Sequence, residues 1–94
     1  MESLEDFLKR AQNVAFPSYT PAPFVIQRGS GTRLWDTQGR EYLDFTTGIG
    51  VNLLGHAHPA VAQAVFEQMV RHAHVSPLFH HAGYVNLASR LIDL

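Results

Sequence analysis

Six histidines, one lysine, one well-placed serine and a set of glycines are the residues of this 94-residue sequence whose types could do chemistry. His56-Ala57-His58, His72-Ala73-His74 and His80-His81 could offer imidazole nitrogens to Zn²⁺ or Ni²⁺. Helical residues two apart point about 200° away from each other, so His72 and His74 could share one ion only if the helix ended between them. There is no cysteine, and no carboxylate-rich neighbourhood completes a four-ligand set. No metal site is therefore expected, and histidines near the negative end of a helix dipole are the plainer account. A nucleophilic triad would need Ser76, a histidine and an acid to converge, but no nucleophile elbow surrounds Ser76. Lys9, the only lysine, lies on a charged face near the start, where an amine is solvated rather than nucleophilic. No catalytic residue is expected in this stretch. Gly29-Ser30-Gly31 lacks the third glycine of a dinucleotide fingerprint and runs into a strand rather than a helix. Gly48, Gly50 and Gly55 lack P-loop spacing, so they are assigned to loop geometry, with close backbone approach to a ligand as the alternative.

Composition narrows the partners. The sequence is 46% hydrophobic and 16% charged, as expected of a chain that folds, and its net charge of −1 provides no basic field for nucleic acid or an anionic membrane. The acidic start, Met1 to Asp6, has neither the positive region nor the apolar region of a secretory signal, and no apolar run approaches the roughly 18–20 residues of a membrane helix. A soluble, cytoplasmic protein is expected, in keeping with the lack of cysteine.

The elements that must position these residues follow from periodicity. Ser3 and Asp6 have capping-box spacing, and Leu4, Phe7, Leu8 and Ala11 recur at helical intervals, predicting a helix over about residues 3 to 13 that needs a partner surface. Pro17, Pro21 and Pro23 then impose an extended linker. Phe24–Arg28, Thr32–Asp36 and Glu41–Phe45 read as three antiparallel strands of a meander, with turns at Gly29-Ser30-Gly31 and Thr37-Gln38-Gly39-Arg40. Leu43 and Phe45 share one face and Tyr42 and Asp44 the other, as in a sheet with one covered side. A glycine-bearing loop over residues 46–56 leads to Pro59, which suits the first position of a helix. Val61, Ala62, Val65, Phe66, Met69, Val70 and Ala73 form a stripe predicted to be that helix's core face. After a loop from about Val75 to Gly83, Leu87, Ala88, Leu91 and Ile92 begin a further helix that carries no C-terminal signal.

Tyr19-Thr20-Pro21-Ala22-Pro23-Phe24, Arg28-Gly29-Ser30-Gly31, Leu34-Trp35-Asp36, Gly39 and Tyr42-Leu43-Asp44-Phe45 together resemble the opening of class III aminotransferases. The stretch Gly48-Ile49-Gly50-Val51-Asn52-Leu53-Leu54-Gly55-His56-Ala57-His58-Pro59 is similar to that of the acetylornithine and succinylornithine branch. In the 4-aminobutyrate branch a leucine usually precedes the asparagine that here follows Val51. Ornithine δ-aminotransferases usually carry an aromatic residue near Ile49. The resemblance runs from about Tyr19 to Leu94. Pro77, where many relatives have asparagine, and His80-His81 depart from it.

The resemblance implies an α/β enzyme of the fold-type I, pyridoxal-phosphate-dependent class, of which these residues, α+β in themselves, form the N-terminal arm (1–23) and an incomplete part of the small domain (24–94). It implies a cytoplasmic homodimer that passes the terminal amino group of N2-acetylornithine to 2-oxoglutarate in arginine biosynthesis, yielding N-acetylglutamate 5-semialdehyde and glutamate. The large domain that supplies the cofactor's lysine, its acidic partner and its phosphate cradle would lie in other sequence, so these residues alone would be inactive. Tyr19, Ile49 and Asn52 match positions near the substrate, and Ser76 a position near the cofactor.

Overall fold

A computed structural model describes residues 1–94. Its elements are α1 (Leu4–Val14), β1 (Ile26–Ser30), β2 (Arg33–Asp36), β3 (Glu41–Leu43), α2 (Thr47–Gly50), α3 (Pro59–Arg71) and α4 (Ala82–Ile92). They fall into two compact units, Met1–His58 and Pro59–Leu94.

The start of α1 is fixed by its cap. Ser3 Oγ accepts the Asp6 amide at 3.1 Å and donates to Asp6 Oδ2 at 2.7 Å, which satisfies one of the unpaired amides of the first turn. Glu5 and Asp6 complement the dipole there. Lys9 reaches Glu5 at 2.7 Å and Arg10 reaches Glu2 at 2.6 Å, both exposed pairs that orient side chains more than they stabilise. Ser3→Ala is expected to cost about 1 kcal/mol of helix stability, read as faster amide exchange in the first turn of α1 with the sheet unchanged.

The three strands form an antiparallel meander in the order β1-β2-β3. Leu34 pairs with Tyr42, Trp35 with Glu41 and Arg33 with Leu43, while a bulge lies between Ile26 and Arg28. Alternation therefore puts Leu34, Asp36 and Tyr42 on one face and Arg33, Trp35, Glu41 and Leu43 on the other. On the second face the Arg28 guanidinium lies 3.6 Å from the Trp35 ring centroid, and Arg33 pairs with Glu41 at 2.6 Å. On the first, Phe24 stacks on Tyr42 with centroids 4.8 Å apart.

Asp36, at the end of β2, is the only fully buried side chain, 1% exposed. Its Oδ1 accepts the amides of Gln38 and Arg40 at 2.8 and 2.9 Å, and its Oδ2 accepts the Tyr42 hydroxyl at 2.8 Å. Arg40 Nε approaches Oδ2 at 3.2 Å. Burial pushes this carboxyl up, but the Arg40 amide, the Tyr42 hydroxyl, the Gln38 amide and the Arg40 charge outweigh it and hold it below the usual carboxylate range. One carboxylate thus closes the β2–β3 turn and fixes the tyrosine on the neighbouring strand.

Several sequence expectations change here, the first being the turn read at Gly29-Ser30-Gly31: Gly29 and Ser30 belong to β1, paired with Leu34 and Arg33, so the chain turns at Gly31 and Thr32. The better covered face is the one that carries Tyr42, since Tyr42 and Asp44 are half-buried while Leu43 and Phe45 are 59% and 92% exposed. β3 also stops at Leu43, because Asp44 turns its carboxylate onto the amides that follow it. In the second unit Pro59 opens α3 as predicted, and the His81 ring accepts the Tyr84 amide at 3.2 Å to cap α4, so that helix starts before the predicted loop ends. It closes at Ile92, where the Asp93 amide donates to the Ser89 carbonyl at 3.1 Å. The stripe on α3 predicted as core, including Val61, Val65, Phe66, Met69 and Val70, is exposed, and so are Leu87, Leu91 and Ile92 on α4. The helical periodicity is present, but these residues supply no surface that covers it. No helix is long and apolar enough to cross a membrane.

Candidate functional site

The loop after β3 departs most from ordinary backbone. Thr47, Gly48, Ile49 and Gly50 have φ of 50°, 64°, 68° and 72° in succession, so α2 is a turn of left-handed helix. It is closed by amide-to-carbonyl bonds from Gly50 to Thr46 and from Val51 to Thr47 at 2.9 Å, and from Asn52 to Thr47 at 3.0 Å. Left-handed φ costs a non-glycine residue roughly 1–2 kcal/mol, and a β-branched one such as Ile49 is an outlier there. Such strain survives only where the surroundings over-determine it.

The surroundings here are specific. Asp44 Oδ1 accepts the amides of Thr46 and Thr47 at 3.0 and 2.9 Å, and its Oδ2 lies 2.6 Å from His56 Nε2. The carboxylate is 7% exposed and the imidazole 24%. The His56 contact, then the Thr47 and Thr46 amides, hold the Asp44 carboxyl below its usual range against the upward push of burial. His56 is anchored by its backbone too: its amide donates to the Gly31 carbonyl at 2.8 Å, and its carbonyl accepts the Gly31 amide at 2.9 Å. Two glycines make the room. A Cβ on Gly29 would stand 2.7 Å from His56 Cγ, and one on Gly55, where φ is 78°, would stand 2.7 Å from the Gly31 carbonyl oxygen.

Of the residues singled out in the sequence, Ile49 and Asn52 share this loop. Ile49 is 78% exposed and Asn52 half-buried, with its Nδ2 where a Cβ on Gly48 would be 2.9 Å away. Tyr19 belongs to the same unit, in the extended arm between α1 and β1, and is 80% exposed. Ser76 belongs to the second unit. It too has left-handed φ, 61°, and its Oγ accepts the Leu78 amide at 3.1 Å, which leaves its hydroxyl proton free to donate. The histidines are spoken for differently from one another. α3 ends at Arg71, so His72 and His74 lie beyond it. His72 meets His81 edge to face at 5.7 Å, and no three metal-ligating side chains converge. Asp44 and His56 as a pair escaped the sequence reading. The available signal was an aspartate two and three residues before a Thr-Thr pair, an Asx-turn pattern, but its second partner lies twelve residues on.

Comparison with known proteins identifies the family. Residues 14–94 match the family described as aminotransferase class-III. The succinylornithine transaminase of Salmonella typhimurium is 52% identical over 77 residues, covering 82% of this chain and 19% of that protein. The acetylornithine aminotransferase of Elizabethkingia anophelis superposes with a TM-score of 0.91 at 27% identity, over 99% of this chain and 24% of the other. The ornithine aminotransferase of Toxoplasma gondii does so with a TM-score of 0.81 at 35% identity, over 85% of this chain and 19% of the other. The chain thus spans about a fifth of the length of these relatives. Its helices and antiparallel meander follow the fold of fold-type I aminotransferases, and with all but its first 13 residues inside the family match, the chain belongs to the class III aminotransferases, in the acetylornithine and succinylornithine branch.

Proposed function

We propose that this chain is the N-terminal segment of a pyridoxal-phosphate-dependent ω-aminotransferase that transfers the terminal amino group of N2-acetylornithine to 2-oxoglutarate in arginine biosynthesis. The products are N-acetylglutamate 5-semialdehyde and glutamate, and the enzyme works as a cytoplasmic homodimer. Residues 1–23 serve as its arm and 24–94 as part of its small domain. The observation that carries the ω-aminotransferase reading is the 52% identity to a succinylornithine transaminase across 82% of the chain, and the superposition on an acetylornithine aminotransferase with a TM-score of 0.91 supports the acetylated donor. That same identity favours N2-succinylornithine as the second candidate donor. The full-length enzyme, assayed with each acylornithine in turn, separates the two by their ratio of kcat/KM. Failure to turn over either one refutes the reading.

Pyridoxal phosphate supplies an electron sink when bound. To hold it, a protein needs an amine for its aldehyde, an acid for its ring nitrogen and a cradle for its phosphate. Lys9 is exposed and paired with Glu5 at 2.7 Å, so the 94 residues do not by themselves fit the group. Ser76 is proposed to contribute a peripheral hydrogen bond from its free hydroxyl proton. The 94-residue polypeptide alone is accordingly expected to show no turnover with N2-acetylornithine and 2-oxoglutarate.

Tyr19, Ile49 and Asn52 are proposed to line the donor site. The phenol of Tyr19 would donate a hydrogen bond to the carboxylate end of the substrate, while Ile49 offers apolar contact and Asn52 an amide. Tyr19→Phe in the full-length enzyme is expected to raise KM for the acylornithine about 3–10-fold with little change in kcat, the effect of removing one uniform binding hydrogen bond. An unchanged KM assigns Tyr19 to packing of the arm.

A further inference from the structure

We infer that Asp44 and His56 are a positioning pair, a latch that holds the left-handed turn of α2 and thereby sets where Ile49 and Asn52 stand. The inference rests on the proposed reading of those two residues as donor-binding. Neither latch residue need touch substrate.

The turn cannot account for its own handedness. Its internal hydrogen bonds, to Thr46 and Thr47 carbonyls, can close a helical turn of either hand, and Thr47 and Ile49 would prefer the right-handed one. The preference has to be overruled from outside the turn, and the contacts that do so converge on one carboxylate. Asp44 takes both amides at the entrance of the loop, fixing the direction in which the chain leaves the sheet. The same side chain takes the His56 ring at the exit, twelve residues later, so a single short contact between polar groups sets the span that the intervening residues must bridge. His56 in turn is riveted to Gly31 by two backbone bonds, so the exit is fixed relative to the sheet. Gly29 and Gly55 leave the space that this arrangement needs: a Cβ at either would collide with the His56 ring or the Gly31 backbone. At 7% exposure Asp44 is shielded from competing water. Inside the span, the Asn52 side chain lies against Gly48, so a change of hand at Gly48 or Ile49 would displace both proposed donor contacts together.

The test uses the full-length enzyme with His56→Ala and His56→Gln, the second retaining an N–H donor near the position of Nε2. His56→Ala is expected to raise KM for the acylornithine donor about tenfold or more, while kcat changes less, because misplaced binding groups weaken capture before they slow chemistry. Amide exchange at Gly50, Val51 and Asn52 should accelerate at least about tenfold as the turn loses its brace. His56→Gln should recover both quantities to within about threefold of the parent. If His56→Ala fails to fold, His56→Phe carries the same expectation, since it keeps the bulk of the ring and removes the nitrogen that faces Asp44. Parental KM and parental exchange in His56→Ala overturn the inference. So does a His56→Gln enzyme no better than His56→Ala in both readouts, since a general packing role of the ring would give that result. A parent enzyme with no acylornithine turnover refutes the functional reading instead, and the exchange measurement then decides the latch alone.

Discussion

Gly55→Ala is expected to destabilise the full-length protein by about 2–5 kcal/mol, whereas Gly31→Ala and Gly39→Ala should cost only about 1–2 kcal/mol each. All three glycines have left-handed φ, of 78°, 57° and 80°, so each substitution pays the same steric penalty. The difference lies in the space around them. A Cβ on Gly31 or Gly39 meets nothing within 4 Å, but a Cβ on Gly55 would lie 2.7 Å from the Gly31 carbonyl oxygen and 2.9 Å from its carbonyl carbon and Cα. Backbone atoms cannot rotate away as a side chain can, so relief requires separating Gly31 from the loop and breaking its paired bonds with His56. Shifts of the thermal midpoint measured side by side decide the matter. Equal shifts for all three variants would mean that the close approach of Gly31 and Gly55 does not exist in the protein.

Asp36→Ala should be the most damaging removal of a single side chain from the sheet, lowering the midpoint on the order of 5 °C. It strands the Gln38 and Arg40 amides and the Tyr42 hydroxyl at once, and unmade bonds to partly buried donors cost more than the bonds contribute. Asp36→Asn keeps the shape and one acceptor, so its shift should be smaller. The pH dependence has a definite sign. The folded Asp36 carboxyl titrates below its ordinary value, so its contribution is fully present above the unfolded carboxylate range, about pH 4, and is lost as pH falls through the depressed value. Tyr42 is shifted the other way, upward, by its hydrogen bond to Asp36 and then by burial. Its contribution is present below the unfolded tyrosine range, about pH 10, and disappears as pH rises through the raised folded value. Asp44 adds to the acid limb with the same sign as Asp36. Asp36→Ala should therefore flatten both limbs of the stability profile, and a profile that keeps the parental slope at both ends would contradict the role given to this carboxylate.

Local signals in the sequence were sufficient for everything that depends on near neighbours along the chain. The Ser3 cap, the proline-broken arm, the three-stranded meander with its second turn at Gly39 and the start of a helix at Pro59 are all decided by residues within a few positions of one another. The family was legible as well, because many residue types recur at fixed spacing from Tyr19 onward, and the match over residues 14–94 agrees.

Tertiary structure alone decided what depends on residues far apart. Alternation places Tyr42 and Asp44 on one face and Leu43 and Phe45 on the other, but it cannot say that the polar pair is the better covered one. That follows from Asp36 and His56 arriving from other segments to satisfy them. A glycine-rich stretch announces a loop, yet four successive left-handed residues arise only because Asp44, His56 and Gly31 constrain both ends of it. His56 read as one of several candidate metal ligands became a partner for a carboxylate, since hydrogen-bonding capacity is a property of the side chain while the partner is chosen by the fold. The apolar stripes of α3 and α4 mark the limit in the other direction: periodicity states which face of a helix seeks cover, and only the packed molecule supplies what covers it.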